Sequence, residues 1–141
     1  MEYEIVEKLP SAEEYNRLRQ LVGWDSYEPG VIARALPQTL YCVCAMMNGT
    51  IIGMARVIGD GGLVYYIQDV IVHPNYQQQG IGTKMMDHVM EYIGNHASQN
   101  SIIGLMSAYG KEPLYEKYGF VKRPTDQLGC GMTRFWQVDR R

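Results

Sequence analysis

Apolar and polar positions change rhythm several times along the chain, and each change marks an element. Near the start Tyr3, Ile5 and Val6 are set among Glu2, Glu4 and Glu7, close to the two-residue period of a half-buried strand. Ser11 followed three residues later by Glu14 is a capping box. Tyr15, Leu18, Leu21 and Val22 then recur at helical spacing until Gly23. A second short helix is predicted over 31–36. Residues 40–47 and 50–59 form two apolar runs joined by Asn48-Gly49, a strong two-residue hairpin signal. Asp60-Gly61-Gly62 turns the chain again into a third run over 63–72. The period then lengthens, and Ile81, Met85, Met86, Val89, Met90 and Ile93 make one stripe of a helix over 80–96. Methionines at this spacing fill a core. A strand over 101–108 and a short helix over 111–118, with Pro113 tolerated in its first turn, come next. A last hairpin is expected, starting at Phe120-Val121 and returning over 130–138. That order predicts an α/β fold, a mixed sheet with helices on both sides.

The sharpest local signal lies where the third run gives way to the long helix, YYIQDVIVHPNYQQQGIGT over residues 65–83. His73-Pro74 ends the strand, and two glycines, Gly80 and Gly82, stand at the mouth of the helix. Glycine lets a backbone approach a ligand with no Cβ in the way. A helix N-terminus adds unpaired N–H groups and the positive end of its dipole. Together they make an anion site suited to a phosphate or pyrophosphate. A P-loop is excluded, because Gly82 is followed by Thr83-Lys84 rather than by Lys and then Ser or Thr. The dinucleotide fingerprint is excluded as well, because Met85 stands three residues beyond Gly82.

What remains is Q/R-x-x-G-x-G/A, preceded by a strand ending V-x-V-x-P. This combination resembles the acetyl-coenzyme A loop of the GNAT superfamily of N-acetyltransferases. PLYEKYGF over 113–120 is a second resemblance, to the superfamily's Y-E-K-x-G-F block. The two blocks, with their flanking strands, span 50–138, and the first fifty residues match only in outline. GKEPLYEKYGF followed by RPTDQLGCGM is similar to a bacterial subgroup of small-molecule acetyltransferases. The resemblance implies the GNAT fold, a mostly antiparallel sheet of about six to seven strands flanked by about four helices.

It also implies a site. Val70, Ile71 and Val72 match the strand end whose backbone takes the pantetheine arm like an added strand. Gln77, Gln78, Gln79, Gly80, Ile81, Gly82 and Thr83 match the loop that holds the pyrophosphate. Gln77 stands where arginine is common, so affinity is expected to rest more on backbone dipoles. The chemistry implied is direct acyl transfer from thioester to amine in a ternary complex. Tyr115 occupies the position of the tyrosine that serves as general acid toward the leaving thiolate, beside the cofactor. Asp69, a carboxylate in an otherwise apolar strand, is expensive unless paired. It is a candidate for the amine side, or a structural partner of an arginine or of backbone donors. Gln68 and Tyr66 are expected on the opposite face of that strand. Trp24, Tyr27, Tyr66, Gln68 and Tyr109 are candidate acceptor contacts, and segment 24–30 with its flanking helices lies where the superfamily covers its acceptor. No His or Glu is placed as a base, and a water relay would serve. Three activities fit: acetylation of a small primary amine, acetylation of a protein N-terminus or lysine, and binding of acetyl-coenzyme A without catalysis.

Composition narrows the setting. A length of 141 residues suits one domain, 1–141. The net charge of −2, the absence of a basic run and a pI near 5.9 argue against nucleic-acid binding. No apolar run reaches the ~18 residues that would suggest a membrane span. MEYEIVEK lacks the features of a signal peptide, so a cytoplasmic protein is expected. Cys42 and Cys44 lie two apart in a strand, a poor geometry for bridging each other. With Cys130 they are read as buried thiols of a reducing compartment. His73, His88 and His96 are scattered and no Cys/His set has zinc spacing, so no metal is expected. The family is often dimeric, and Phe135 and Trp136 in the last strand are the expected edge or interface of a homodimer.

Overall fold

The computed structural model describes residues 2–138. Its five strands, β1 (Glu4–Glu7), β2 (Tyr41–Met47), β3 (Thr50–Gly59), β4 (Val64–Val72) and β5 (Ile102–Leu105), form one sheet in sequence order. The first four pair antiparallel, and β5 joins β4 in parallel. A parallel pair needs a crossover, which helix α3 (Ile81–His96) supplies. Helices α1 (Ala12–Leu21) and α2 (Pro29–Ala35) connect β1 to β2, and α4 (Glu112–Glu116) follows β5. The chain divides into two compact units, Met1–Leu105 and Met106–Arg141. The sheet and α1 to α3 belong to the first, and α4 to the second.

Local chemistry sets the joints of the first unit. Ser11 N–H donates to Glu14 Oε1 at 2.8 Å while Glu14 N–H donates to Ser11 Oγ at 3.1 Å, a complete capping box. Asn48 and Gly49 both take positive φ, 51° and 78°, as the tightest hairpin turn requires. Asp60 Oδ1 accepts from the backbone N–H groups of Gly62, Leu63 and Val64 and so closes the next turn.

The helices cover the sheet as its alternating side chains dictate. Tyr15, Leu18, Ile32 and Leu36 pack with Cys42, Cys44, Ile51, Met54 and Ile71 on the α1 face. On α3, Ile81, Met85, Met86, Val89 and Ile93 are buried, and a Cβ at Gly53 would come within 3.2 Å of Met85 Cε. Met54 and Gly53 thus mark the two faces of β3.

One irregularity matters for the site. Arg56 pairs with Gln68 and Met54 with Ile71, so a two-residue step on β3 faces a three-residue step on β4. That is a β-bulge, which bends its strand and interrupts the ladder. Within it Asp69 has φ 58°, the left-handed region in which aspartate is one of the few tolerated side chains.

In the second unit the expected last hairpin does not form. No strand is assigned between 117 and 138, and every residue from 121 to 138 is exposed. The backbone makes local bonds instead: Thr125 N–H to Leu128 O at 2.8 Å, and Leu128 N–H to Thr125 Oγ1 at 3.0 Å. A strand-like composition makes a strand only where another strand lies alongside. Among the described residues the sheet therefore has five strands rather than six or seven. Cys130 is exposed and not the buried thiol expected, whereas Cys42 and Cys44 are buried and free.

Candidate active site

The mouth of α3 is built by residues that hold the chain without filling the space. Gly80 is the N-cap, with φ 85° and ψ 5°, and no side chain caps the helix. Lys84 N–H donates to Gly80 O at 3.0 Å, so helical bonding begins there. Gln78 also takes positive φ, 64°, and Gln78, Gln79 and Gly80 are exposed. No acidic residue lies in the first turn, so no carboxylate competes for the positive end of the dipole. Ile81 is 1% exposed and anchors the turn in the core. Upstream, Gln77 Nε2 donates to Val72 O at 3.0 Å, and His73 N–H to Ile52 O at 2.7 Å. Strand end and helix mouth are therefore joined directly, and the side chain of Gln77 serves the backbone rather than open solvent. This arrangement fits a pyrophosphate: exposed backbone with left-handed turns and an uncapped helix end.

Asp69 is in the paired arrangement. Its carboxylate is fully buried between two guanidiniums, Arg19 Nη1 on Oδ1 at 3.0 Å and Arg56 Nε on Oδ2 at 3.1 Å. Tyr15 Oη donates to Oδ2 at 2.6 Å, and Gln68 Nε2 to Oδ1 at 3.4 Å. Burial, and then the Asp69 charge, push the Tyr15 phenol well above its ordinary range. Arg56 Nη1 continues to Thr39 Oγ1 at 2.7 Å. Both carboxylate oxygens are thus engaged by charged or hydroxyl donors. Sequence reasoning placed Gln68 on the face opposite Asp69; the bulge brings both toward Arg56, because its extra residue breaks the alternation.

Arg19 gathers two of the expected acceptor contacts. Its guanidinium carbon lies 4.7 Å from the Tyr27 ring centroid and 5.4 Å from that of Trp24. Tyr27 is 49% exposed and Trp24 half-buried. Tyr66 is half-buried on β4. Tyr109 and Tyr115 belong to the second unit. Tyr109 is fully exposed, while Tyr115 is 7% exposed and stands edge-on to Phe120. Burial pushes the Tyr115 phenol up to about 12. The residues that sequence reasoning missed by name are Tyr15, Arg19 and Arg56. Arg56 was visible as the one charge within the apolar run 50–59, on the strand neighbouring the one charge of 64–72.

A family model described as the acetyltransferase (GNAT) domain matches residues 22–133. The chain belongs to the GNAT acetyltransferase family. That makes it an acetyltransferase, and GNAT enzymes use acetyl-coenzyme A. The match runs across the boundary between the two compact units. An uncharacterized N-acetyltransferase of Pyropia yezoensis, ycf52, is 26% identical over 127 residues, 87% of this chain and 70% of its own length. A protein of unknown function from meticillin-resistant Staphylococcus aureus, described as a probable acetyltransferase, has a similar structure. The two align at a TM-score of 0.88 and 33% identity, over 96% of this chain and 100% of the other. Glucosamine-6-phosphate N-acetyltransferase from Arabidopsis thaliana shares the fold at a TM-score of 0.71 and 14% identity, over 97% and 100% of the two chains.

Proposed function

We propose that this acetyltransferase moves the acetyl group of acetyl-coenzyme A to a primary amine of a small molecule by direct attack in a ternary complex. The observation that carries the coenzyme half is the α3 mouth, where a 16-residue helix opens at a left-handed glycine with no capping side chain. Residues Gln77 to Thr83 would hold the pyrophosphate, and the backbone of Val70, Ile71 and Val72 the pantetheine arm. Acetyl-coenzyme A supplies the activated acyl group. We treat 1–141 as one catalytic domain, because the family model spans 22–133 across both units.

The chain's own residues then have distinct tasks. Tyr115 keeps a proton on its phenol at neutral pH, since its pKa lies far above 7, and is assigned as the general acid for the leaving thiolate. Asp69 is assigned to holding the bulge rather than to taking the amine's proton, and a water relay removes that proton. Trp24, Tyr27, Tyr66, Gln68 and Tyr109 remain the proposed acceptor contacts. A small-molecule acceptor is supported by the shared fold of an amino-sugar phosphate acetyltransferase. Unbridged Cys42 and Cys44 suit a cytoplasmic setting, and the exposed Phe135 and Trp136 suit a homodimer contact.

Acetyl-coenzyme A turnover against panels of small amines and peptides tests the reading. Turnover with amino sugars, polyamines or arylalkylamines is expected. Turnover confined to peptides moves the assignment to protein acetylation. Coenzyme binding with no turnover on either panel leaves a binding module.

A further inference from the structure

We propose that Arg19 is a positioning residue that ties segment 22–28 to the coenzyme-binding strand, so that occupation of the coenzyme site orders that segment. The proposal rests on the assignment above of 70–83 to the coenzyme and of 24–30 to the acceptor.

Arg19 reaches in two directions at once. Its Nη1 is on Asp69 Oδ1 at 3.0 Å, and its Nε donates to Asp25 O at 2.8 Å. The first contact holds the left-handed residue of the β4 bulge, immediately before Val70. The second holds the middle of a segment that has no regular structure from Trp24 to Glu28. Around the guanidinium stand the rings of Tyr15, Trp24 and Tyr27, at 5.8, 5.4 and 4.7 Å. Only a planar, delocalised cation can stack on rings while its edge donates to a carbonyl and a carboxylate. Arg19 is 8% exposed, which leaves it little freedom to reorient.

The segment is otherwise lightly held. Asp25, Ser26, Tyr27 and Glu28 are exposed. Asn16 grips the Tyr27 backbone in both directions, Nδ2 to Tyr27 O at 2.7 Å and Tyr27 N–H to Oδ1 at 2.9 Å. Trp24 N–H donates to Arg19 O at 2.9 Å. These other bonds fasten the segment to α1, whereas the Arg19 side chain fastens it to β4 as well. A ligand that steadies the backbone of 70–72 therefore steadies Asp69, Arg19 and then Trp24 to Tyr27. Such a chain of contacts couples two sites when both bias the same element.

Hydrogen exchange read by mass spectrometry, with coenzyme A as the probe, tests the link without knowledge of the acceptor. In the wild type, coenzyme A is expected to slow exchange over 70–72 and 77–83, and over 22–28 by about fivefold or more, within the ~5–150-fold range of ordinary couplings. In Arg19→Lys the protection of 70–83 should remain while that of 22–28 is lost, because lysine keeps charge but not the planar fork. Tyr27→Ala, at an exposed ring, should weaken the response at 22–26 with the ion pairs untouched, and it carries the test if Arg19→Lys does not fold. Protection of 70–83 without any response at 22–28 in the wild type overturns this proposal alone. So does an Arg19→Lys protein in which 22–28 exchanges faster with and without coenzyme A alike, the ratio unchanged, as a merely structural arginine would give. No protection at 70–83 in the wild type overturns the coenzyme site and this proposal with it.

Discussion

Burial raises the pKa of the Tyr115 phenol to about 12, so it stays protonated at neutral pH, as the general-acid role proposed for it requires. Tyr115→Phe removes only the hydroxyl. Coenzyme affinity by calorimetry should persist while the chemical step in pre-steady-state kinetics slows by about 10²–10⁴-fold, the usual range for acid catalysis. An unchanged step would mean that the thiolate takes its proton elsewhere. Tyr65 is the opposite case. It is fully buried, and its hydroxyl is the one buried side-chain polar atom without a partner among the described residues. A desolvated, unpaired hydroxyl costs about 1–3 kcal/mol. Tyr65→Phe should therefore leave the melting temperature unchanged or raise it, and a clear fall would reveal a partner for that hydroxyl.

At the scale of elements, β4 and the start of α3 divide the work between charge and backbone. The β4 bulge is held by a carboxylate between two arginines. Removing one partner of a buried ion pair leaves uncompensated charge, at about 3–5 kcal/mol. Asp69→Asn should lower stability in chemical denaturation by that order, with Arg19 and Arg56 left facing each other's field. Normal stability with a lost turnover rate would return Asp69 to the role of base. No side chain caps the mouth of α3 and no acidic residue lies in its first turn, so an added negative charge should break the coenzyme binding proposed there. In Gly82→Asp a carboxylate enters the first turn, where the pyrophosphate is assigned. Calorimetric titration should show acetyl-coenzyme A binding severely weakened with the fold intact, and wild-type affinity would remove the loop from the site.

For the whole molecule, the buried phenols make stability depend on alkaline pH. Tyr15 and Tyr115 both have folded-state values raised above the ordinary tyrosine value of 10.0, chiefly by burial. The folded protein thus holds these protons more tightly than the unfolded chain. Their contribution is fully present below pH ~10 and is lost as pH rises through the folded values. Through these two phenols melting temperature should fall as pH rises beyond about 10. The fall should be shallower in Tyr115→Phe, and an identical slope would mean that this phenol titrates normally.

The sequence alone determined what depends on near neighbours. The capping box of Ser11 and Glu14, the turn at Asn48-Gly49 and the methionine stripe of α3 are short-range chemistry, readable because partners lie within a few residues. The opening of α3 at Gly80 was legible for the same reason, since a glycine-rich turn after a strand leaves few alternatives. Tertiary structure decided what depends on distant partners. Asp69 stands 50 residues from Arg19, and no spacing rule connects them. The bulge that brings Gln68 to Asp69 arises from the register between β3 and β4, and a strict alternation cannot anticipate an extra residue. Likewise 130–138 has the composition of a strand but no strand beside it. Pairing belongs to two segments at once, and the chain read in order shows only one.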